Sequence, residues 1–270
     1  MAGTATLTTA LSFIAAVIIT KNVAVKWDSV YMHLLTTIFT IIPCIVVFIN
    51  ISVSIVQWIF AKLYKPLVLP SMDFNDGIPE QCKTFFVMPV LMNNKERVRE
   101  IMKEIEIIYL ANRDENIFFA VVADAAESDS KHSAWDEEVS KTGLEESARL
   151  NKKYGKHLPN GEIQEKFFFL YRPRTWHECE KKWIGHERKR GAIIDFNRLV
   201  SGKEKHNLLG NTDNVPQVRF VFTVDADTRI PNDTIKKMAA IMAHPLNCPE
   251  IKSNGACSYV GSGYGILQPA

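Results

Sequence analysis

The sequence predicts an α/β protein, a doubly wound and mostly parallel sheet, preceded by two transmembrane helices. Three observations predict it. The 270 residues carry 32 basic and 30 acidic side chains, yet only Lys21, Lys26 and Asp28 fall within residues 1–61. From residue 84 onward, short apolar runs alternate with amphipathic stretches, the pattern of strands and covering helices. Two aspartates one residue apart follow the fourth apolar run, where such sheets place their ligands.

Residues 1–20 carry no charge and stop at Lys21, about enough to span a hydrocarbon core. A signal peptide is disfavoured, because no Lys or Arg precedes the apolar run and no small-x-small cleavage pattern follows it. Ser29 to Ala61 is also uncharged, and Ile, Val, Leu and Phe dominate it. A helix there would reach roughly 45–50 Å, longer than the ~30 Å core. It is expected to tilt, bend near Pro43, or run on at the interface towards Trp58, Lys62, Tyr64 and Lys65. Basic residues on both flanks leave the orientation tied. The organisation expected is a membrane segment over 1–64, a linker over 65–81 and an α/β domain over 82–270.

The later elements follow in order. Residues 65–81 hold three prolines among turn formers. Thr84–Val90, Asn116–Ala123, Lys166–Tyr171 and Val218–Val224 are apolar runs of strand length. Helices are expected over Lys95–Leu110, with a stripe of Val98, Ile101, Ile105 and Ile108, over about 134–154, over about 186–201, and after Pro231. Gly263–Ala270 reads as a further strand, and Gly261–Gly265 as a flexible turn into it, since the run lacks the ending of a phosphate loop.

Composition excludes several functions. At 47% hydrophobic residues the chain is not disordered, and a net charge of +2 gives no global signal for nucleic acid. The cysteines (Cys44, Cys82, Cys179, Cys248 and Cys257) are scattered and odd in number, which fits reduced thiols. His177-Glu178 and His186-Glu187 do not complete a zinc spacing, because position 181 is Lys.

The sharpest motif is Asp225-Ala226-Asp227-Thr228. Two carboxylates so close at a strand end suit a hard divalent cation that also takes phosphate oxygens. The plain alternative is an Asx turn with one Asp capping the next helix. The run also resembles the opening of haloacid-dehalogenase-type phosphatases, but three strands precede it and no paired-Asp loop follows. It more closely resembles nucleotide-sugar glycosyltransferases of GT-A fold, whose paired acids hold a metal on the nucleotide diphosphate. Pro89, at the end of the first strand, and Asp124, at the end of the second, stand where those enzymes contact the nucleotide. Arg188, Lys189 and Arg190 lie at an expected helix start, where cations oppose the helix dipole unless an anion is near. Position 192, Lys in the general processive pattern, is Ala here, so Lys189 or Arg190 would supply that charge. A nucleic-acid surface over 181–205 is disfavoured by its sparse aromatics.

The runs GIPEQCKTFFVMPVL, IYLANRDENIFFAVVAD, WIGHERKRGAIIDFNRLVSG, TVDADTRIP, MAHPLN and GYGILQP, in that order, resemble the cyclic β-1,2-glucan synthases, glycosyltransferase family 84. The resemblance implies a bacterial inner-membrane enzyme whose domain after Lys65 faces the cytosol and extends a β-glucan acceptor from UDP-glucose. It implies Mg²⁺ or Mn²⁺ on Asp225 and Asp227, the nucleoside against Asp124, and donor contacts from Glu187, Lys189 and Arg190 of the ERKRG motif. It places the general base and the acceptor motif beyond Ala270, in the remainder of the synthase polypeptide, so the chain is expected to be inactive alone. The alternative is a membrane-anchored nucleotide-sugar-binding module without catalysis.

Overall fold

The computed structural model describes residues 10, 14, 15, 17, 18, 30–64, 68–159, 161, 163–202, 206–255 and 257–268. The chain divides into two compact units, Met1–Val68 and Leu69–Ala270.

In the first unit the main element is α1 (Val30–Leu63), 34 residues without an acid in its first turn and with Lys62 in its last. At 1.5 Å per residue it is about 50 Å long. Pro43 lies inside it, where it removes one backbone donor and crowds the preceding turn. Its polar side chains satisfy themselves locally: Asn50 Nδ2 donates to Val46 O at 2.9 Å and Ser54 Oγ to Asn50 O at 2.9 Å. Near the end of the helix the Lys62 ammonium lies 4.3 Å from the Trp58 ring centroid. Within α1, Ile45–Leu63 is long and apolar enough to cross a membrane, and it is the one such segment among the described residues. Two spans were expected; among the described residues one is found, within the second apolar run. Most of the first apolar run lies outside the described residues; Ala10, Ile14, Ala15, Val17 and Ile18 are helical.

The second unit is built on β1 (Thr84–Met92), α2 (Lys95–Ala111), β2 (Ile117–Ala125), α3 (Ala134–Tyr154), β3 (Lys156–His157), β4 (Ile163–Gln164), β5 (Phe167–Arg172), β6 (Thr175–His177), β7 (Lys182–Ile184), α4 (Arg188–Val200), β8 (Leu209–Gly210), β9 (Phe220–Thr223), α5 (Thr234–Ala243), β10 (Glu250–Ser253) and β11 (Ser258–Ser262). The central sheet has the order β8-β5-β2-β1-β9. Its β5-β2-β1-β9 ladders are parallel, and β8 adds antiparallel to β5. This is the expected α/β architecture with a mostly parallel sheet.

Strands buried on both faces read as unbroken apolar runs, and β1, β2 and β5 do so. Alternate residues face opposite layers. Phe86, Met88, Phe119, Val121, Phe167 and Phe169 pack with α2, α3 and α5 through Val98, Ile101, Val139, Leu150 and Ile235. Phe85, Val87, Phe118, Val122 and Phe168 pack with Ala192, Phe196 and Val200 of α4. On that second face Phe85 meets Phe118, Phe168 and Phe196 at ring-centroid distances of 5.6, 5.5 and 5.2 Å. Local signals set the helix starts: Asn94 caps α2 by accepting from Arg97 N at 2.8 Å, and Ser133 N donates to Asp136 Oδ2 at 2.8 Å ahead of α3.

Residues 69–79 have no regular structure yet pack on this unit. Phe74 and Ile78 are buried, Met72 N donates to Ala240 O at 3.0 Å, and Asn247 Nδ2 donates to Pro70 O at 2.7 Å.

Two expectations near the chain end are corrected. Gly263–Gln268 is not a strand: Gly263 has φ +74°, and a side chain there would overlap the Cys248 carbonyl, so the backbone leaves the extended region. Gly261 is not in a turn but in β11, which pairs antiparallel with β10. Both strands of that hairpin are exposed throughout, so no apolar alternation marked them.

Pro89 was expected at the end of the first strand and lies three residues inside it, because β1 continues in register with β2 to Met92↔Ala125. The β1–β9 ladder, by contrast, ends at Val87↔Thr223, with Val224 N donating to Val87 O at 3.2 Å. The next donor in a parallel ladder would be the N–H of residue 89, which proline lacks. Pro89 thus closes the ladder on that side and releases the chain into the Asp225 turn.

Candidate functional site

The carboxyl ends of β2, β5 and β9 and the start of α4 carry the charged residues of interest. Asp124 is the penultimate residue of β2 and only 5% exposed. Its register partner across the ladder is Arg172, the last residue of β5. Arg172 Nη1 donates to Asp124 Oδ1 at 3.1 Å and Nε to Asp195 Oδ2 of α4 at 2.8 Å. Its remaining reach goes to main-chain oxygens, Nη2 to His186 O at 2.7 Å and Nη1 to Arg188 O at 3.3 Å. One buried guanidinium therefore ties together two strands, a helix and the segment between β7 and α4. Burial pushes the Asp124 carboxyl above its ordinary range, and the Arg172 charge works against that shift. Oδ2 of Asp124 meets no hydrogen-bond donor among the described residues.

Two glycines make this packing feasible. A side chain at Gly185 would overlap the Asp124 carboxylate, and one at Gly191 would overlap the His186 carbonyl. Between them, Glu187 and Arg188 adopt left-handed backbone, with φ of 55° and 44°. Such angles cost a non-glycine residue about 1 kcal/mol or more. Arg172 on both flanking carbonyls, Arg188 N on Gly185 O at 2.9 Å and Gly191 N on Glu187 O at 3.3 Å hold them there.

This strained entry aims the cations. Lys189 forms an ion pair with Asp225. Arg190 Nη1 lies 3.1 Å from Glu187 Oε1, and both side chains are exposed. Arg188 and Lys182 reach the carboxylate of Glu127, just after β2, at 3.3 and 3.4 Å. Asp225 opens a turn in which Thr228 N donates to its carbonyl at 3.0 Å, and Asp225 and Asp227 are both exposed on it. The α4 start, left-handed and cationic, thus meets the paired-aspartate turn through Lys189, and meets Asp124 through Arg172.

Of the residues expected from sequence, Asp124, Glu187, Lys189, Arg190 and Asp225 fall into this connected group, and Asp227 lies on the Asp225 turn. Pro89 is instead buried in β1 and acts on the backbone ladder. His177 and His186 approach each other with ring centroids 6.1 Å apart. Among the described residues no group of three or more His, Cys, Asp or Glu side chains is disposed to hold a metal.

Sequence reasoning missed Arg172, Asp195 and Glu127. Arg172 had a signal, a cation closing the apolar run KFFFLY at a strand end. Asp195 had another, an acid one residue before Phe196 on the buried face of α4. A second buried pair, Arg174 Nη1 to Asp136 Oδ2 at 2.6 Å, ties the β5 exit to the start of α3. There burial, helped by the Asp136 charge, holds the Tyr171 hydroxyl in its protonated form.

No protein-family model matches the chain. Over 219 residues it is 34% identical to the cyclic β-(1,2)-glucan synthase NdvB of Rhizobium meliloti (strain 1021). The chain is a relative of that synthase. The match takes in 81% of this chain, and the chain spans about 8% of the length of the curated relative. Because the first unit has only residues 1–68, most of the α/β unit must lie inside the match. The similarity therefore bears mainly on the α/β unit.

Proposed function

We propose that the α/β unit is the donor-binding part of a GT-A-type glucosyltransferase, holding UDP-glucose for glucan synthesis. The observation that carries this reading is the connection of Asp124, the cationic segment 187–190 and Asp225 through Arg172 and Lys189. A carboxylate can accept from the N–H of a base, and positive charge offsets a diphosphate. This rim offers both, on elements locked to one guanidinium.

Asp124 accepts from the base, with the Arg172 charge opposing the rise that burial imposes on its carboxyl. Lys189 and Arg190 face the diphosphate and offset its charge. Asp225 and Asp227 supply two hard oxygen donors on an exposed turn, a set that fits Mg²⁺ or Mn²⁺ when phosphate oxygens and water complete the shell. When bound, that ion would stabilise charge on the departing diphosphate. The NdvB likeness supports a glucosyl donor and a glucan acceptor, with the remaining synthase polypeptide supplying the acceptor side and the base. On this reading α1 anchors the chain in a bacterial inner membrane, with the α/β unit on the cytosolic side.

Calorimetric titration of the full chain in detergent with UDP, with and without Mn²⁺, tests the reading. Mn²⁺-dependent UDP binding is expected, weakened about tenfold or more, ~1.4 kcal/mol, by Asp225→Asn and by Asp227→Asn. UDP affinity that ignores both the metal and these substitutions would refute the metal assignment.

A further inference from the structure

The hairpin of β6 and β7 carries two tryptophans opposite each other, Trp176↔Trp183. Their rings meet edge-on, with centroids 5.6 Å apart at 61°. Trp176 is 43% exposed, which is unusual for a large indole unless it meets a partner. The hairpin is held firmly. Ser128, just past β2, exchanges both backbone hydrogen bonds with Trp183, each at 3.0 Å. Thr175 Oγ1 also lies 3.4 Å from Ile184 O across the hairpin.

Its placement is informative. Side chains alternate along an extended chain, so residues two apart project to the same side. Gly185 is in step with Trp183, and the Asp124 carboxylate occupies the space where a Gly185 side chain would lie. Trp183 therefore projects on the side of β7 where the Asp124 carboxylate lies, about 7 Å further along at the usual rise per residue. The hairpin hangs from β5 and β2, whereas Asp225 follows β9 at the other edge. Across the rim the order is tryptophan pair, Asp124, cationic segment, Asp225.

We propose that Trp183, backed edge-on by Trp176, is the stacking wall for the base of the nucleotide whose polar edge Asp124 reads. This inference rests on the donor-site reading above and names the nucleoside end of that site. An indole face next to a free carboxylate oxygen recognises a planar, N–H-bearing heterocycle; stacking supplies affinity and the carboxylate supplies choice. A glucosyl ring would also stack on an indole, but it belongs near Asp225, on the far side of Asp124. The Lys131 ammonium, 5.9 Å from the Trp183 centroid, adds a cation beside the ring.

The test uses the full chain in detergent, with uridine, UDP and a β-glucan oligosaccharide as separate probes. Uridine is expected to bind with an upfield shift of its base-proton signals, the signature of a ring held over an indole. Trp183→Leu should weaken uridine and UDP by the same factor, at least about fivefold, and abolish the shift. Trp183→Phe should retain most of both, and Trp176→Leu should cause a smaller loss. Because Trp183 pairs with Ser128 through its backbone, the Leu variant should keep the melting temperature. Equal uridine affinity in wild type and Trp183→Leu would overturn the inference, as would glucan binding that depends on Trp183 while uridine does not bind. Metal-independent UDP binding that still needs Trp183 would sink the metal-site reading and leave the stacking wall standing.

Discussion

Replacing Arg172 by methionine would leave Asp124 and Asp195 buried on either side of an apolar side chain. The side chains of Arg172, Asp124 and Asp195 are only 4%, 7% and 8% exposed, so water cannot screen the loss. Removing one partner of a buried ion pair costs about 3–5 kcal/mol. The carbonyls of His186 and Arg188 also lose a donor, at about 1 kcal/mol where solvent cannot reach them. A loss of at least about 3 kcal/mol is therefore expected, a large share of the 5–15 kcal/mol typical of a domain. Its pH dependence follows from Asp124. Burial raises that carboxyl above its ordinary 3.8, so its contribution is fully present below 3.8 and declines as pH rises through the raised value. Without Arg172 the native carboxyl rises further and holds its proton to higher pH. The deficit of the variant should thus be smaller at about pH 5 than at about pH 8. Urea unfolding of the full chain in detergent, followed by circular dichroism at both values, measures it. A deficit under about 1 kcal/mol, or one equal at both pH values, would refute the assignment of Arg172 as the charge that neutralises this rim.

Three further perturbations test other links. Gly185→Ala places a methyl group on the Asp124 carboxylate and should lower uridine affinity about tenfold, ~1.4 kcal/mol; unchanged affinity in a titration would show that the carboxylate position is irrelevant. Gly143→Ala sits mid-helix in α3, where alanine alone would gain up to ~1 kcal/mol, but its methyl group would overlap the fully buried Phe169 ring. Overpacking at ~1–3 kcal/mol should win, so a higher melting temperature would contradict the packing described. Glu106 accepts from Lys153 Nζ at 2.8 Å and Tyr154 OH at 2.7 Å, and these bonds, Lys153 first, hold its carboxyl below the ordinary 4.5. A lowered carboxyl contributes stability above 4.5 that is lost as pH falls through its native value. Glu106→Gln should therefore be less stable at neutral pH and converge with wild type in acid; a gap that persists to about pH 3 would count against it.

The sheet was legible because its strands are buried on both faces. TFFVMPV, NIFFAVVA and KFFFLY announce themselves without any alternation, and the helices between them carry stripes or caps. The elements that escaped notice are those without such a burial pattern: β10 and β11 are wholly exposed, and β6 and β7 are three residues each. At the rim, Asp124 and Asp225 stood out as acids directly after apolar runs. Arg172 was passed over because a cation at a strand end looks like solvent-facing punctuation. Only register, which sets it beside Asp124, shows that it points inward. The left-handed pair Glu187–Arg188 was beyond reach for the same reason: neither residue type favours that backbone, and the side chain that holds both flanking carbonyls, Arg172, lies on another element.

The short β1–β9 ladder carries a consequence for how the rim is assembled in time. Asp124, Arg172 and Asp195 are joined by neighbouring strands and the helix that follows them, whereas Asp225 arrives only when β9 crosses the whole intervening chain to pair with Thr84–Val87. Closing so long a loop for four residues of pairing is entropically expensive. A chain arrested before that closure would already possess its buried Arg172 cluster yet lack the aspartate turn altogether. The two ends of the site are thus built by events of different range, and damage to folding should remove the Asp225 end first.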